Sequence, residues 1–308
     1  MKADDPQEPS TLAPERPRPW ALEYLRFLVR MGVRYPLHFL RQVVSWNVYS
    51  FAPGRTRRAI PGPVLRCDDV DQAVAAFRRD GYVILSDALG PDDVEALHRL
   101  VKRKADDIVR MDAEGLIPPE SRHGLNRYSW GEYGHNPEWE YLGHNARVIP
   151  ILRGIWSGHD FRAVAAGGDF VLPGGEWQSL HTDLAWHGAG EEMPRILVVN
   201  YYVSEVRPTS GPIRIVPGTA RFPVPPYRVL GKREPAWMRQ AVATGKPGYA
   251  IIRDPRGWHG GTPSTSSDPR YMPAIEFVMN GAPRDEIEST AALDQLSRGE
   301  WIAEFSNA

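Results

Sequence analysis

Residues 178–195 read QSLHTDLAWHGAGEEMPR and place two histidines and an aspartate within seven positions. Such a cluster indicates a metal site, and two ligand pairs are possible. His181 and Asp183 would project from the same face of a strand, because alternate strand residues share a face. Asp183 and His187 would share a face only on a helix, and the glycines that follow disfavour a helix. A strand end that carries His181 and Asp183 is therefore the favoured interpretation.

The surrounding sequence predicts a β-rich domain. After residue 168 come short apolar segments separated by glycine and proline: GDFVL, RILVVNYYVSEV, PIRIVPG, GYAIIRD and YMPAIEFVMN. This pattern is typical of a sandwich, jelly roll or barrel. Upstream, residues 68–112 predict a helix, a strand and a second helix, with Gly81 ending the first helix and Pro91 opening the second. The fold class is therefore α+β, with helices flanking a β core.

The N-terminal region differs in composition from the rest. Residues 1–19 are acidic and proline-rich and predict a disordered tail. Residues 20–67 predict a helical extension and a linker, which leaves 68–308 as the main domain. Arg26, Arg30 and Arg34 form a basic stripe on the predicted N-terminal helix. The stripe is either a solvated face or a weak contact with a membrane surface or an acidic partner.

Composition excludes several classes of protein. The chain has 308 residues, 37 basic and 38 acidic side chains, and a net charge of -1. It lacks the basic excess that is typical of nucleic-acid binders, so no nucleic-acid partner is expected. No apolar run reaches the roughly 20 residues of a transmembrane helix. Cys67 is the single cysteine, and a chain without a possible internal disulfide favours the reducing cytoplasm. The expected state in solution is a monomer or a homodimer.

A third metal ligand is needed, and His259 in the stretch IIRDPRGWHGGTPS is the candidate. Two histidines and a carboxylate form the facial triad of non-haem Fe(II) oxygenases, which leaves positions open for a co-substrate and dioxygen. Arg270 follows His259 by eleven residues, and a neighbouring strand would point its guanidinium toward a carboxylate. The competing interpretation is a hydrogen-bonded His–Asp pair in a jelly-roll core.

Residues 68–280 resemble the phytanoyl-CoA dioxygenase superfamily of Fe(II)/2-oxoglutarate oxygenases. The resemblance rests on the motifs FRRDGYVILSDALGPDDVEALHRLV, LHTDLAWHGAGEEMPR, SGPIRIVPGTAR and GWHGGTPSTSSDPR. It implies a double-stranded β-helix (jelly-roll, cupin-like) core that binds Fe(II), 2-oxoglutarate and O2. The positions that match the iron ligands are His181, Asp183 and His259, and those that match 2-oxoglutarate contacts are Arg270, Gln178 and Thr262.

The second motif is most similar to the ectoine hydroxylase branch, which implies that Trp186 and His187 line the substrate side. However, Ser179 and Leu180 stand where that branch has aromatic residues, so ectoine is not the expected substrate. The presence of Asp183 argues against halogenation, because the halogenases of the superfamily have a small residue there.

The expected activity is oxidation, most simply hydroxylation, of an unactivated C–H bond in a small or medium organic molecule, such as a secondary-metabolite intermediate. The co-products would be succinate and CO2. Desaturation, ring closure and epimerisation are alternative outcomes; a 2-oxoglutarate-independent cupin-type enzyme and a non-catalytic binding protein are alternative functions. Arg127, Trp130 and Phe277 are further candidates for the substrate pocket. Trp130 lies in an irregular, aromatic stretch at about residues 115–165, whose aromatic side chains could equally belong to the core.

Overall fold

Two β-sheets face each other in the computed structural model, which describes residues 60–117, 122–130, 136–183, 193–221 and 240–280. The predicted tail and helix at residues 1–51 lie outside the described residues, and so do Trp186 and His187. None of the helices in the described ranges is long and apolar enough to cross a membrane.

The larger sheet has seven strands. In spatial order they are β2 (Val64–Arg66), β3 (Tyr82–Ser86), β9 (Ala250–Arg253), β6 (Ile196–Tyr201), β11 (Arg270–Met279), β5 (Phe161–Val171) and β4 (Arg127–Ser129). All neighbours are antiparallel except β2 and β3, which are parallel. The predicted strands after residue 168 are confirmed.

The smaller sheet has four strands: β1 (Ile60–Pro61), β8 (Ala241–Val242), β7 (Ile213–Ile215) and β10 (His259–Gly261). An isolated antiparallel bridge between His181 and His259 extends it beyond β10. His181 is therefore in extended backbone beside a strand, as the strand-end interpretation requires.

Three α-helices are described: α1 (Val70–Asp80), α2 (Pro91–Ala113) and α3 (Ile149–Ile155). Two 3-10 helices cover Pro137–His144 and Thr219–Arg221. The predicted helix–strand–helix is α1, β3 and α2: α1 ends at Gly81, and Pro91 opens α2, where Asp92 and Asp93 lie at the positive end of the helix dipole. The α+β class is confirmed.

The larger sheet is buried on both faces, so it separates two hydrophobic cores. On its outer face the helices and residues such as Tyr271, Ile275 and Phe277 form the outer core. On its inner face, toward the smaller sheet, Met272 belongs to the inner core, whereas Ala274 and Glu276 line a cavity. Because side chains alternate along β11, every second residue from Arg270 points between the sheets.

Candidate metal and co-substrate site

His181, Asp183 and His259 meet at one point between the sheets. One ligand atom from each lies within 4.8 Å of the others. Oδ1 of Asp183 lies 3.1 Å from Nε2 of His259 and 3.6 Å from Nε2 of His181. The structure therefore brings together the three residues that the sequence predicted as metal ligands.

Backbone hydrogen bonds hold the three ligands in register. The His181 N–H donates to the His259 carbonyl at 2.8 Å, and the His259 N–H donates back at 3.0 Å. This exchange places the two imidazole rings side by side, with centroids 4.5 Å apart. Two residues on, the Asp183 N–H donates to the Pro255 carbonyl at 3.0 Å. Both ligand segments are thus tied to each other before any ion binds.

Each imidazole is also fixed in one tautomer. Nδ1 of His181 lies 2.9 Å from the Ser179 carbonyl, and Nδ1 of His259 lies 2.8 Å from the Gly257 carbonyl. A carbonyl oxygen only accepts, so each Nδ1 carries the hydrogen and each Nε2 keeps its lone pair. This arrangement is typical of metal-binding histidines. The result is a donor set of two imidazole nitrogens and one carboxylate oxygen, which suits Fe(II).

Arg253 on β9 contacts the same carboxylate from the larger sheet. Its Nη1 donates to Oδ2 of Asp183 at 2.6 Å, and its Nε donates to Oδ1 of Asn200 at 3.2 Å. Burial alone would raise the pKa of Asp183, but the neighbouring His259, the charge of Arg253 and the neighbouring His181 hold it well below its usual range. Asp183 is therefore ionised, as a metal ligand must be.

The two imidazoles differ in their surroundings. Burial lowers the pKa of both rings. For His259 burial outweighs the attraction of Asp183, so its pKa stays below the ordinary value. For His181 the hydrogen bond and charge of Asp183 outweigh burial and raise the pKa.

Arg270 is almost fully buried, with 1% of the residue exposed. Its Nη2 donates to Oδ2 of Asp169, which lines the cavity. Its Nε and Nη1 have no hydrogen-bond partner among the described residues. Buried N–H groups without acceptors are costly. Nε and Nη1 lie on different edges of the guanidinium, so a single carboxylate cannot accept from both. Nη1, together with the second N–H of Nη2, forms the fork that fits the carboxylate of an anionic co-substrate.

Arg270 reaches this position from the larger sheet, whereas His259 lies in the smaller sheet. The expectation that Arg270 stands on a strand neighbouring the metal-binding strand is thus corrected. The physical reason is that the chain crosses between the sheets after β10, so the two residues belong to opposite walls.

Two more arginines clamp the neighbouring backbone. Arg127 donates to the carbonyls of Glu176, at 2.6 Å, and Thr262. Arg214 donates to the Gly261 carbonyl at 2.9 Å and the Gln178 carbonyl at 2.7 Å. These bonds tie the segment that leads to His181 against β10.

The arginines also give this end of the site a positive charge. Burial, followed by repulsion from Arg270, lowers the pKa of Arg127 to about 10, which still leaves it charged at neutral pH. Asp169 and Glu176 offset part of this charge. The surplus favours an anion.

A cavity of about 400 Å³ lies beside these groups, and Arg270 adjoins it through Asp169 rather than lining it directly. Its polar lining includes the metal triad, Arg127, Asp169, Gln178, Asn200, Arg253 and Glu276, and its apolar lining includes Ala165, Ile196, Val198, Ile213 and Ala274. This volume suits a small organic molecule.

Of the remaining predicted residues, Gln178 and Arg127 line the cavity, whereas Thr262 does not. Gln178 lines the cavity and accepts the Gly261 N–H at 2.9 Å. The Thr262 hydroxyl donates to the Pro212 carbonyl at 2.9 Å and is not among the cavity-lining groups. Arg127 lines the cavity, but its guanidinium is used mainly to clamp the backbone.

Trp130 and Phe277 do not line the cavity, which corrects the expectation that they contact substrate. Trp130 packs in the outer core against Trp139 and Phe170, with ring centroids 5.6 and 5.0 Å away. Phe277 packs against Phe161 with centroids 6.0 Å apart. Phe277 faces the outer core because side chains alternate along a strand and its neighbour Glu276 points to the inner face.

Arg253, Asn200, Asp169 and Glu276 are site residues that were not predicted. One signal was readable for Glu276: it follows Arg270 by six residues on one strand, so both share a face. Burial, with a smaller contribution from the charge of Asp183, raises the pKa of Glu276 to about 7.

Comparisons with known proteins identify the family of this chain. The phytanoyl-CoA dioxygenase (PhyH) family matches residues 77–272. An ectoine dioxygenase from Sphingopyxis alaskensis is 25% identical over 255 residues, which cover 72% of this chain and 78% of that protein.

Two solved structures show the same fold. AviO1 from Streptomyces viridochromogenes Tue57 aligns with a TM-score of 0.54 and 20% identity, over 70% of this chain and 97% of its own. EctD from S. alaskensis, solved with 2-oxoglutarate and 5-hydroxyectoine, aligns with a TM-score of 0.53 and 23% identity, over 68% of this chain and 75% of its own. The expected jelly-roll core is confirmed. Since the family match spans more than half of the sequence, the chain belongs to the phytanoyl-CoA dioxygenase (PhyH) family of Fe(II)/2-oxoglutarate-dependent dioxygenases.

Proposed function

We propose that this protein hydroxylates an unactivated C–H bond of a small or medium organic molecule, using Fe(II), 2-oxoglutarate and O2. The observation that carries the proposal is the orientation of the triad. Both imidazoles have Nδ1 bonded to a backbone carbonyl and Nε2 facing Oδ1 of Asp183.

His181, Asp183 and His259 would hold the iron, and Arg270 would hold a carboxylate of 2-oxoglutarate. Iron and 2-oxoglutarate supply the oxidation of a C–H bond by dioxygen, with succinate and CO2 as co-products. The protein contributes placement and a partly dry cavity. Arg253 keeps the Asp183 carboxylate oriented, and the arginines near Asp169 favour the dianionic co-substrate.

Several finer points belong to the same proposal. The substrate is a biosynthetic intermediate. Ser179 and Leu180, which stand where the ectoine hydroxylase branch has aromatic residues, argue against ectoine itself. Mass spectrometry of the product identifies the outcome: hydroxylation adds one oxygen atom, desaturation and ring closure remove two hydrogens, and epimerisation leaves the mass unchanged.

The buried single cysteine Cys67 supports a cytoplasmic location. A monomer or a homodimer is the proposed state in solution.

Anaerobic titration with Fe(II) and then 2-oxoglutarate tests the cofactors. The wild-type protein is expected to develop the weak visible charge-transfer band of the bound pair. His181→Ala should lose the band, whereas His159→Ala, a matched change at an exposed histidine, should keep it. A band of equal strength in His181→Ala would contradict the assigned ligands.

Co-product release tests the reaction. With substrate present, succinate and CO2 should form in step with O2 uptake. Turnover that does not depend on 2-oxoglutarate would support the cupin-type alternative, and absence of metal binding would support a non-catalytic protein. The unpartnered Nε and Nη1 of Arg270 favour the 2-oxoglutarate-dependent enzyme.

A further inference from the structure

Glu276 is an acidic residue at the inner face of the larger sheet. It lies on β11, and its side chain lines the same cavity as the metal triad. Its Oε2 is buried and has no hydrogen-bond partner among the described residues. A buried carboxylate oxygen without a partner is destabilising, so its presence at the wall of the cavity calls for a ligand.

The strand register shows why the described sheet supplies no partner. Across the sheet, Glu276 stands between Ala165 of β5 and Val198 of β6. Neither side chain can donate a hydrogen bond. Ala274, two residues earlier on the same face, is equally inert. Glu276 is therefore surrounded on its own sheet by small and aliphatic side chains.

The nearest positive charge across the sheet is on Arg253 of β9. Val198 of β6 lies between the two residues and pairs with Glu276 on one side and with Arg253 on the other. Two strand spacings separate the backbones of Arg253 and Glu276, or about 10 Å. The Arg253 guanidinium is engaged by Asp183 and Asn200. Its charge is thus directed to the metal ligand, and Glu276 has no direct counter-charge within the part of the chain that the structure describes.

We propose that Glu276 binds a protonated amino group of the substrate, so that the substrate class is an amine. The inference rests on the proposed function, because it treats the cavity as the substrate site. An ammonium group supplies both the missing charge and the missing donors, and a charge-assisted bond is about twice as strong as one to a neutral hydroxyl. An amine held at Glu276 lies in the same cavity as the triad, which brings its neighbouring carbon atoms toward the oxidising centre.

Calorimetric titration with cyclohexylamine and cyclohexanol tests the proposal. The two probes have nearly the same shape, but only the amine is charged at pH 7.5. The wild-type protein should bind the amine about tenfold more tightly than the alcohol. In Glu276→Gln the ratio should fall to about one. Glu205→Gln, the same change at an exposed glutamate outside the cavity, should keep the wild-type ratio.

Titrations are made in the metal-free protein and in the protein loaded anaerobically with Fe(II) and 2-oxoglutarate. An amine preference in both states supports the carboxylate as the binding group, because the metal-free protein offers no iron to coordinate. Equal binding of the two probes by the wild type, no binding of the amine, or a preference that survives Glu276→Gln would each overturn the proposal.

The outcome is separable from that of the proposed function. If the charge-transfer band is absent but the amine preference depends on Glu276, the dioxygenase assignment fails while the amine site stands. If the band forms and the preference is absent, the amine site fails alone.

Discussion

Asp183 uses its two oxygens for different partners: Oδ1 faces His259 at 3.1 Å, and Oδ2 accepts from Arg253 at 2.6 Å. The arginine therefore fixes the rotation of the carboxylate that completes the metal triad. Groups that orient a metal ligand in this way usually matter almost as much as the ligand itself.

Replacing Arg253 with methionine should weaken metal binding. The uncharged side chain fills a similar volume but cannot orient Asp183, so the affinity for Fe(II) should fall by about tenfold. Anaerobic calorimetry with Fe(II) measures the change, and Arg207→Met, at an exposed ion pair, is the matched control. Unchanged or tighter binding would mean that repulsion between the arginine and the metal outweighs its orienting effect.

The two histidines of the opening cluster should behave differently. His181→Ala should lower metal affinity by more than about a hundredfold, because it removes a ligand rather than a supporting group. His187→Ala should change it by less than about threefold, because the strand interpretation leaves this residue out of the triad. Fe(II) or Co(II) titration of both variants decides. A comparable loss in the two would revive the helical pairing of Asp183 with His187.

Arg270→Lys should weaken 2-oxoglutarate binding and spare the metal. Lysine keeps the charge opposite Asp169 but cannot offer two parallel N–H groups to a carboxylate. The Kd for 2-oxoglutarate should rise by at least about tenfold, which corresponds to one strong hydrogen bond. The charge-transfer titration reports this value, and Fe(II) affinity measured without 2-oxoglutarate is the internal control. Parallel loss of both would point to a general collapse of the site.

Gly168→Ala should destabilise the fold. Gly168 has φ +118°, and a Cβ there would lie 2.3 Å from the Met272 carbonyl oxygen on β11. Strain and overlap together should lower the free energy of unfolding by at least about 2 kcal/mol. Gly115→Ala separates the two effects, since Gly115 also has positive φ, +69°, but its Cβ would meet nothing within 4 Å. Urea unfolding of both variants should show the larger loss for Gly168→Ala.

Cys67 should react slowly with thiol reagents. Burial raises its pKa from the ordinary value of 9.0 to about 11, so the reactive thiolate is scarce at neutral pH. Because the folded pKa is the higher one, the stability that the protonated thiol contributes is complete below about pH 9 and is lost as the pH rises through about 11. Iodoacetamide labelling at pH 7.5, compared with labelling in urea, measures the protection. Equal rates in the two conditions would contradict it.

The sequence predicted the elements better than their arrangement. The strands and the His181–Asp183 pair follow from local spacing, and the structure contains the strands and brings this pair together with His259. Whether Arg270 shares a sheet with His259 depends on a crossover between sheets, which local patterns do not record. Trp130 and Phe277 were misplaced because an aromatic side chain suits the core and a pocket equally well.

Arg253 and Glu276 were missed for a related reason. Each lies in a strand whose other residues are apolar, apart from Arg270 at the start of β11, because both faces of the larger sheet are buried. A charged residue in such a strand is the available clue, but only the pairing of β9, β6 and β11 reveals that both point into one cavity.

The division of the site between two sheets has an evolutionary consequence. His181 and His259 belong to the smaller sheet, whereas Arg253 and Glu276 come from the larger one. Substitutions around Glu276 on the inner face of β6 and β11 can therefore exchange one substrate for another while His181 and His259 keep their metal. Arg253 and Arg270 mark the limit of this freedom, because they lie on the substrate wall but serve the metal ligand and the co-substrate.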